Sequence, residues 1–193
     1  MKTVGLLIPA YGNQISVKMA TEFIPTLMSK IPVVIMTISK QGTPLARQIL
    51  AINYLQAKVE KEEYKEGFPL VIWADSDMWI GEREAREVVE CIQNHELCVW
   101  DYPLLNRKAV NEKEGIYGLG LAVGVVHPNI TFLSGLMSVD GTAGLYSEDY
   151  LYWYQVKKIL GVSPKIKGET QHLKSVILKL DRGMVSVDNT QTW

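Results

Sequence analysis

Apolar runs of strand length alternate along the chain with longer stretches in which apolar residues recur at helical spacing. Thr3–Ile8 predicts a first strand. Ile15–Lys30 predicts a helix bent or broken at Pro25. Pro32–Ile38 is continuous in Val and Ile, which predicts a strand buried on both faces. Thr43 and Pro44 suit the start of a second helix, and Leu45, Ile49, Ile52, Leu55 and Val59 recur on one side of it as the expected packing face. Lys58–Lys65 reads as its solvated end and Gly67 as its stop. Pro69–Ala74 predicts a third strand. Gly81, followed by Glu82 and Glu84, opens a helix running to about His95, and Leu97–Trp100 predicts a fourth strand.

Strands alternating with helices argue an α/β fold, with an open, mostly parallel sheet flanked by helices. After Trp100 the pattern changes. Tyr102–Glu114 reads as loop, and Gly115–His127 as strand with close backbone approaches at its glycines. Ser147–Leu160 predicts a capped helix ending at Gly161. Val162–Asp188 predicts short strands around a turn at Asp181, Arg182 and Gly183. No repeat or interdomain linker interrupts residues 1–193, so a single domain is expected.

Composition narrows the classes. The 193 residues are 47% hydrophobic and 21% charged, with a formal net charge of -1. That excludes a mainly disordered chain and argues against bulk binding of nucleic acid. The two cysteines, Cys91 and Cys98, cannot make a disulfide framework or a zinc knuckle, and a reducing compartment fits them. The longest stretch without a formal charge, Gly115–Val139, contains Gly118, Gly120, Gly124, Pro128 and Gly135, which suit buried strands and turns rather than a membrane span. The first apolar run is too short for a signal peptide. The expectation is a cytoplasmic protein, soluble or in at most peripheral contact with a membrane.

Four features carry candidate chemistry. Asp75-Ser76-Asp77 directly follows a predicted strand, where ligands of open α/β sheets bind. Two acids at this spacing can share a hard cation such as magnesium or manganese; a solvated turn of capping acids is the ordinary alternative. Ser147-Glu148-Asp149 opens a helix, where acids are favourable in any case, but where a carboxylate is also held rigidly enough to take a proton. Arg47, near another helix start, suits phosphate oxygens or is a surface cation. His172 is a lone late histidine, and the ordinary reading of such a residue is structural. Tyr146, Tyr150, Tyr152, Trp153 and Tyr154 form either a sugar platform or a buried helix face.

In this order the segments VGLLIPAY (Val4–Tyr11), GTPLARQ (Gly42–Gln48), LVIWADSDM (Leu70–Met78) and SEDYLYWYQVKKILG (Ser147–Gly161) resemble a small GT-A-type glycosyltransferase of the broad family-2 pattern. The resemblance covers about residues 3–172. It implies a GT-A-like, Rossmann-related fold, with a nucleotide-sugar-binding half up to about residue 101 and an acceptor-side half beyond it. It implies that Pro9 and Tyr11 flank the nucleotide base and Arg47 contacts the donor. Asp75 would lie near the ribose or the ion, and Asp77 would be the main metal ligand with His172 as a further one. Asp149 would be the catalytic base and Glu148 an acceptor-site partner. The cofactor implied is manganese or magnesium. The partners implied are a nucleoside diphosphate sugar donor and a saccharide, protein-glycan or lipid-linked acceptor. The second strand ends Thr37-Ile38-Ser39 without the family's base-recognising Asp, and Leu151 and Gln155 replace the usual Asp and Arg, which leaves donor base and acceptor class open.

Two other classes fit parts of the pattern. Asp75-x-Asp77 also resembles the opening motif of haloacid-dehalogenase-type phosphatases, although that family places it on its first strand and wants Thr or Val where Trp79 stands. A non-catalytic module binding nucleotide sugars or a protein is the third reading.

Overall fold

The computed structural model describes residues 3–10, 14–60, 69–103, 108–172, 176–180 and 183–187. The first strand, β1 (Val4–Ala10), is buried along its whole length. A π turn (Met19–Phe23) runs into helix α1 (Ile24–Lys30), and the Ile24 N–H bonds back five residues to Met19. Pro25 cannot donate to Thr21, so the turn before it widens and the helix continues instead of breaking. Then follow β2 (Val33–Ser39), α2 (Thr43–Glu60), β3 (Leu70–Ala74), the short β4 (Met78–Trp79), α3 (Glu82–Gln93) and β5 (Cys98–Asp101). The second half adds β6 (Leu121–Val125), the hairpin β7 (Gly135–Val139) and β8 (Thr142–Tyr146), and α4 (Glu148–Leu160). It ends with β9 (Lys165–Glu169), β10 (Gln171–His172) and the hairpin β11 (Val176–Leu180) and β12 (Gly183–Val187).

Six strands make one sheet in the order β2-β1-β3-β6-β5-β9. β1 runs parallel to β2 and β3, and β5 runs parallel to β9, whereas β6 lies antiparallel between β3 and β5. The sheet is therefore mixed and mostly parallel, inside a single compact domain. Among the described residues the connection from β5 to β6 holds only a one-turn helix (Glu112–Glu114) and no crossover helix, and β6 returns in the reverse direction. Alternate strand residues serve two cores. Leu6, Ile8, Ile72, Cys98 and Trp100 pack with Phe23, Leu27, Val88 and Ile92 on the α1 and α3 face. Leu7, Val71, Trp73, Val99 and Ala122 pack with Leu50, Tyr54, Tyr152 and Val156 on the α2 and α4 face.

Three expectations need correction. β2 is not buried on both faces: it is an edge strand, with Val34 and Ile35 exposed. The packing face of α2 is not the Leu45 series, since Leu45, Ile52 and Val59 are exposed. Its buried face is Ala46, Arg47, Leu50, Ala51, Tyr54 and Lys58. Small residues decide this: a Cβ on Gly5 would lie 2.6 Å from the Tyr54 ring, so only glycine lets the helix sit this close to β1. Cys91 and Cys98 are joined in a disulfide between α3 and β5, rather than standing as two thiols.

Other punctuation is as the sequence suggests. Ser147 caps α4, its hydroxyl accepting from the Tyr150 N–H, and Gly161 ends it at φ 70°. The terminal strands pair antiparallel with Leu180 opposite Gly183; the expected turn residues Asp181 and Arg182 lie outside the described residues, as does Gly67. Among the described residues, no helix is long and apolar enough to cross a membrane.

Candidate functional site

β2 and β3 lie on opposite sides of β1, so the strand order reverses between β1 and β3. In open α/β sheets a crevice forms at such a point, beyond the carboxyl ends of the strands. Asp75 is the first residue past β3 and sits there. The turn it opens is closed by a bond from the Met78 N–H to the Asp75 carbonyl, at 3.1 Å. Three further bonds hold it. The Asp75 N–H donates to the Gly120 carbonyl at 2.8 Å, and the Ser16 N–H to the Ser76 carbonyl at 2.7 Å. The Ser16 hydroxyl donates to the Met78 carbonyl at 2.6 Å. The backbone of the Asp75-Ser76-Asp77 turn is thus fixed on both sides, while the Asp77 side chain is exposed.

Arg47, in the first turns of α2, reaches into this edge and is only 1% exposed. One guanidinium nitrogen donates to Asp75 at 2.8 Å. The other donates to Glu148 at 2.9 Å and Asp149 at 2.7 Å. Three carboxylates from two distant segments therefore converge on one buried cation. Ser147 and the helix start aim Glu148 and Asp149 at it. The second Asp149 oxygen accepts from the Leu119 N–H at 3.3 Å. A planar guanidinium suits this task better than an ammonium because its donors are fixed in a fork.

The electrostatics follow from the count. Burial on its own would lower the Arg47 pKa, but Asp75, Asp149 and Glu148 more than reverse that and raise it. Burial raises the Glu148 carboxyl, and the neighbouring Asp149 charge raises it further against the pull of Arg47. Tyr102 is pushed well above the usual phenol value, first by burial and then by the charges of Asp149 and Asp75. Among the described residues one guanidinium faces three carboxylates, an excess of acidic groups that favours cations.

Arg47, Asp75, Glu148 and Asp149 are thus brought together. Pro9 is buried near the end of β1, opposite Ile38 and past the last residue that pairs with β3, where its missing N–H is tolerated. Tyr11 lies outside the described residues. β10 returns the chain to the D-x-D turn and sets His172 opposite Met78, one residue beyond Asp77. The aromatic group of α4 divides. Tyr152 and Trp153 belong to the core, and the Tyr152 hydroxyl both donates to and accepts from the Val125 backbone. Tyr146, Tyr150 and Tyr154 stack outward, with centroids 5.1 and 6.3 Å apart.

Two residues at the site escaped the sequence reading. Tyr102 lies against the backbone at Gly118 and Gly120, where a Cβ would come within 2.8 Å of its hydroxyl and 2.7 Å of its ring, and its hydroxyl accepts from the Gly120 N–H. The Gly-x-Gly spacing was the available signal for such a ring. Ser16 also bonds locally, its hydroxyl accepting from the Met19 N–H at 3.2 Å, but its bonds to Ser76 and Met78 reach 60 or more residues along the chain and have no comparable signal.

Cys91, Glu96 and Cys98 also have their potential ligand atoms within 4.8 Å of one another. The sulfurs are bonded to each other, and Glu96 pairs with Lys165 and Lys167, so this group does not present an open ligand set. Compared with known proteins, the chain matches no protein-family model, no curated protein and no solved structure.

Proposed function

We propose that the protein is a metal-dependent glycosyltransferase that moves a sugar from a nucleoside diphosphate sugar to an acceptor hydroxyl with inversion, on a GT-A-like fold. The observation that carries this reading is the convergence of Asp75, Glu148 and Asp149 on buried Arg47 at the carboxyl edge of the sheet, beside the Asp77 turn. The donor set fits a hard cation: oxygen ligands on a clamped turn, an excess of acidic groups nearby, and an exposed Asp77. Asp77 and Asp75 would hold magnesium or manganese, with His172, paired through its backbone opposite Met78, as the further candidate ligand. Such an ion supplies Lewis-acid stabilisation of a departing diphosphate.

The chain's own groups would do the rest. Asp149 is the general base. Arg47 and the Leu119 N–H use two of its roughly four lone-pair sites, which leaves acceptor capacity for a hydroxyl proton. Glu148, with its raised pKa, orients the acceptor beside it. Arg47 acts as the positioning residue, since its fork is taken up by carboxylates rather than offered outward. Asp75 tied at 2.8 Å to Arg47 is poorly disposed to be a phosphatase nucleophile, which favours sugar transfer over the phosphatase reading.

The test is release of free nucleoside diphosphate from a panel of uridine, guanosine, cytidine and thymidine diphosphate sugars, with manganese and with EDTA. Release from at least one donor, lost in EDTA and in Asp77→Ala, is the expected result. No release from any donor, alongside hydrolysis of phosphate monoesters, refutes it.

A further inference from the structure

On the other face of the sheet from Arg47, a cleft of about 760 Å³ opens between the π turn, the start of α3, β4 and the ends of β5 and β9. Its size is in the roughly 300–1,000 Å³ range of small-molecule sites. We propose that this cleft binds a neutral saccharide, with Trp79 as its stacking platform. This is a second sugar site, apart from the proposed transfer site at Glu148 and Asp149, and its capacity to bind the sugar does not depend on that reaction.

Three observations support this. Trp79 is only half-buried and lines the cleft, two residues past Asp77, so a ring stacked there would lie beside the D-x-D turn. Aromatic faces suit the apolar faces of pyranoses. Thr170 also lines the cleft and is 5% exposed; its backbone is fixed to the Asp101 carbonyl, yet its hydroxyl has no hydrogen-bond partner among the described residues. A buried hydroxyl left unpaired is costly, and a ligand hydroxyl would satisfy it. The π turn places Lys18 and Glu22 at the rim, with the Lys18 ammonium 5.8 Å from the Trp79 ring centroid. Such widened turns recur at functional sites.

Charge selects the ligand class. Three cations, Lys18, Arg83 and Lys108, face five carboxylates, Glu22, Glu82, Glu84, Asp101 and Glu169. Arg83 pairs with Glu84, and Lys108 with Asp101 and Glu169. The balance disfavours a phosphate or another anion. Carboxylates and lysines lining one cleft with an aromatic ring match the acceptors and donors of vicinal hydroxyls.

The experiment titrates the isotope-labelled full chain, without metal or donor, with glucose, galactose, mannose, N-acetylglucosamine, lactose and, separately, inorganic phosphate. At least one neutral sugar should shift the amides of Trp79, Tyr102, Thr170 and Gln171. Trp79→Ala should weaken that binding roughly tenfold or more, while Trp79→Phe stays within about threefold. Thr170→Val, which keeps the shape and removes the hydroxyl, should weaken it several-fold even if Trp79→Ala folds poorly. Because the titration contains neither metal nor donor, its outcome is separate from the fate of the transferase assignment. The proposal is overturned if no neutral sugar moves those amides, if phosphate moves them in preference, or if Trp79→Phe and Thr170→Val both leave a detected binding event unchanged in affinity and location while Trp79→Ala does too.

Discussion

The Arg47 cluster and the Trp79 cleft are both rich in carboxylates, and they use charge in opposite ways. Around Arg47, three acids 18–23% exposed surround a cation 1% exposed, and every pair is 2.7–2.9 Å long. In the cleft, Arg83 and Lys108 are each 64% exposed and their acids range from buried to fully open. Burial turns the first set into fixed geometry, since a desolvated ion cannot leave its partners cheaply. Exposure leaves the second set adaptable, since water and salt compete for each pair. A reaction centre needs the first property; a surface that accepts hydroxyls benefits from the second.

The largest effect should come from breaking the fixed cluster. Arg47→Ala leaves three partly buried carboxylates facing one another, and should cost about 3–5 kcal/mol, a fall in melting temperature on the order of 10 °C. Arg47→Lys keeps the charge but loses the fork, so it should fall between Arg47→Ala and wild type. Lys108→Ala in the cleft should leave the melting curve unchanged within error. Equal losses at Arg47 and Lys108 would erase the distinction between the two regions.

Gly120→Ala comes next. Its Cβ would meet the Tyr102 ring at 2.7 Å, and Gly120 also carries the carbonyl that holds Asp75. Overpacking here should cost about 1–3 kcal/mol by thermal or denaturant melting. Because Tyr102 lines the cleft and borders the cluster, both regions should lose ligand affinity.

The smallest effect concerns pH. The folded-state pKa of Glu148 is raised above its usual 4.5, by burial first and then by Asp149. Stability from the protonated form is complete below the unfolded value and is lost as pH rises through the raised folded value. Glu148→Gln should therefore melt slightly above wild type near neutral pH, and the two curves should converge below 4.5. Manganese affinity of wild type should fall as acid protonates Glu148. A variant less stable than wild type at neutral pH would mean that the Arg47–Glu148 pair outweighs the desolvation and the repulsion.

Much of the cluster was legible in the sequence because its parts are local. An apolar run ending in Asp75-Ser76-Asp77 announces a strand end, and Ser147 followed by two acids and closed by Gly161 announces a capped helix. What local pattern could not reveal was which surfaces meet. The Leu45 series has perfect helical spacing, yet α2 turns Arg47 and two alanines inward because Gly5 admits Tyr54 and the carboxylates claim the guanidinium. β2 has the composition of a central strand and lies at the edge, since no further strand among the described residues pairs beyond it. β6 reverses direction, its connection holding only a one-turn helix (Glu112–Glu114) among the described residues, and composition carries no trace of that.

In the proposed reaction Asp149, held by Arg47 and the Leu119 N–H, takes the acceptor's proton. Asp149→Asn preserves the shape and the Leu119 contact while removing the base. Donor affinity by calorimetry and sugar transfer should be measured on that variant side by side with wild type. Donor binding should stay unchanged within about threefold, and transfer should fall by roughly two to four orders of magnitude. Transfer at the wild-type rate with intact donor binding would contradict that role.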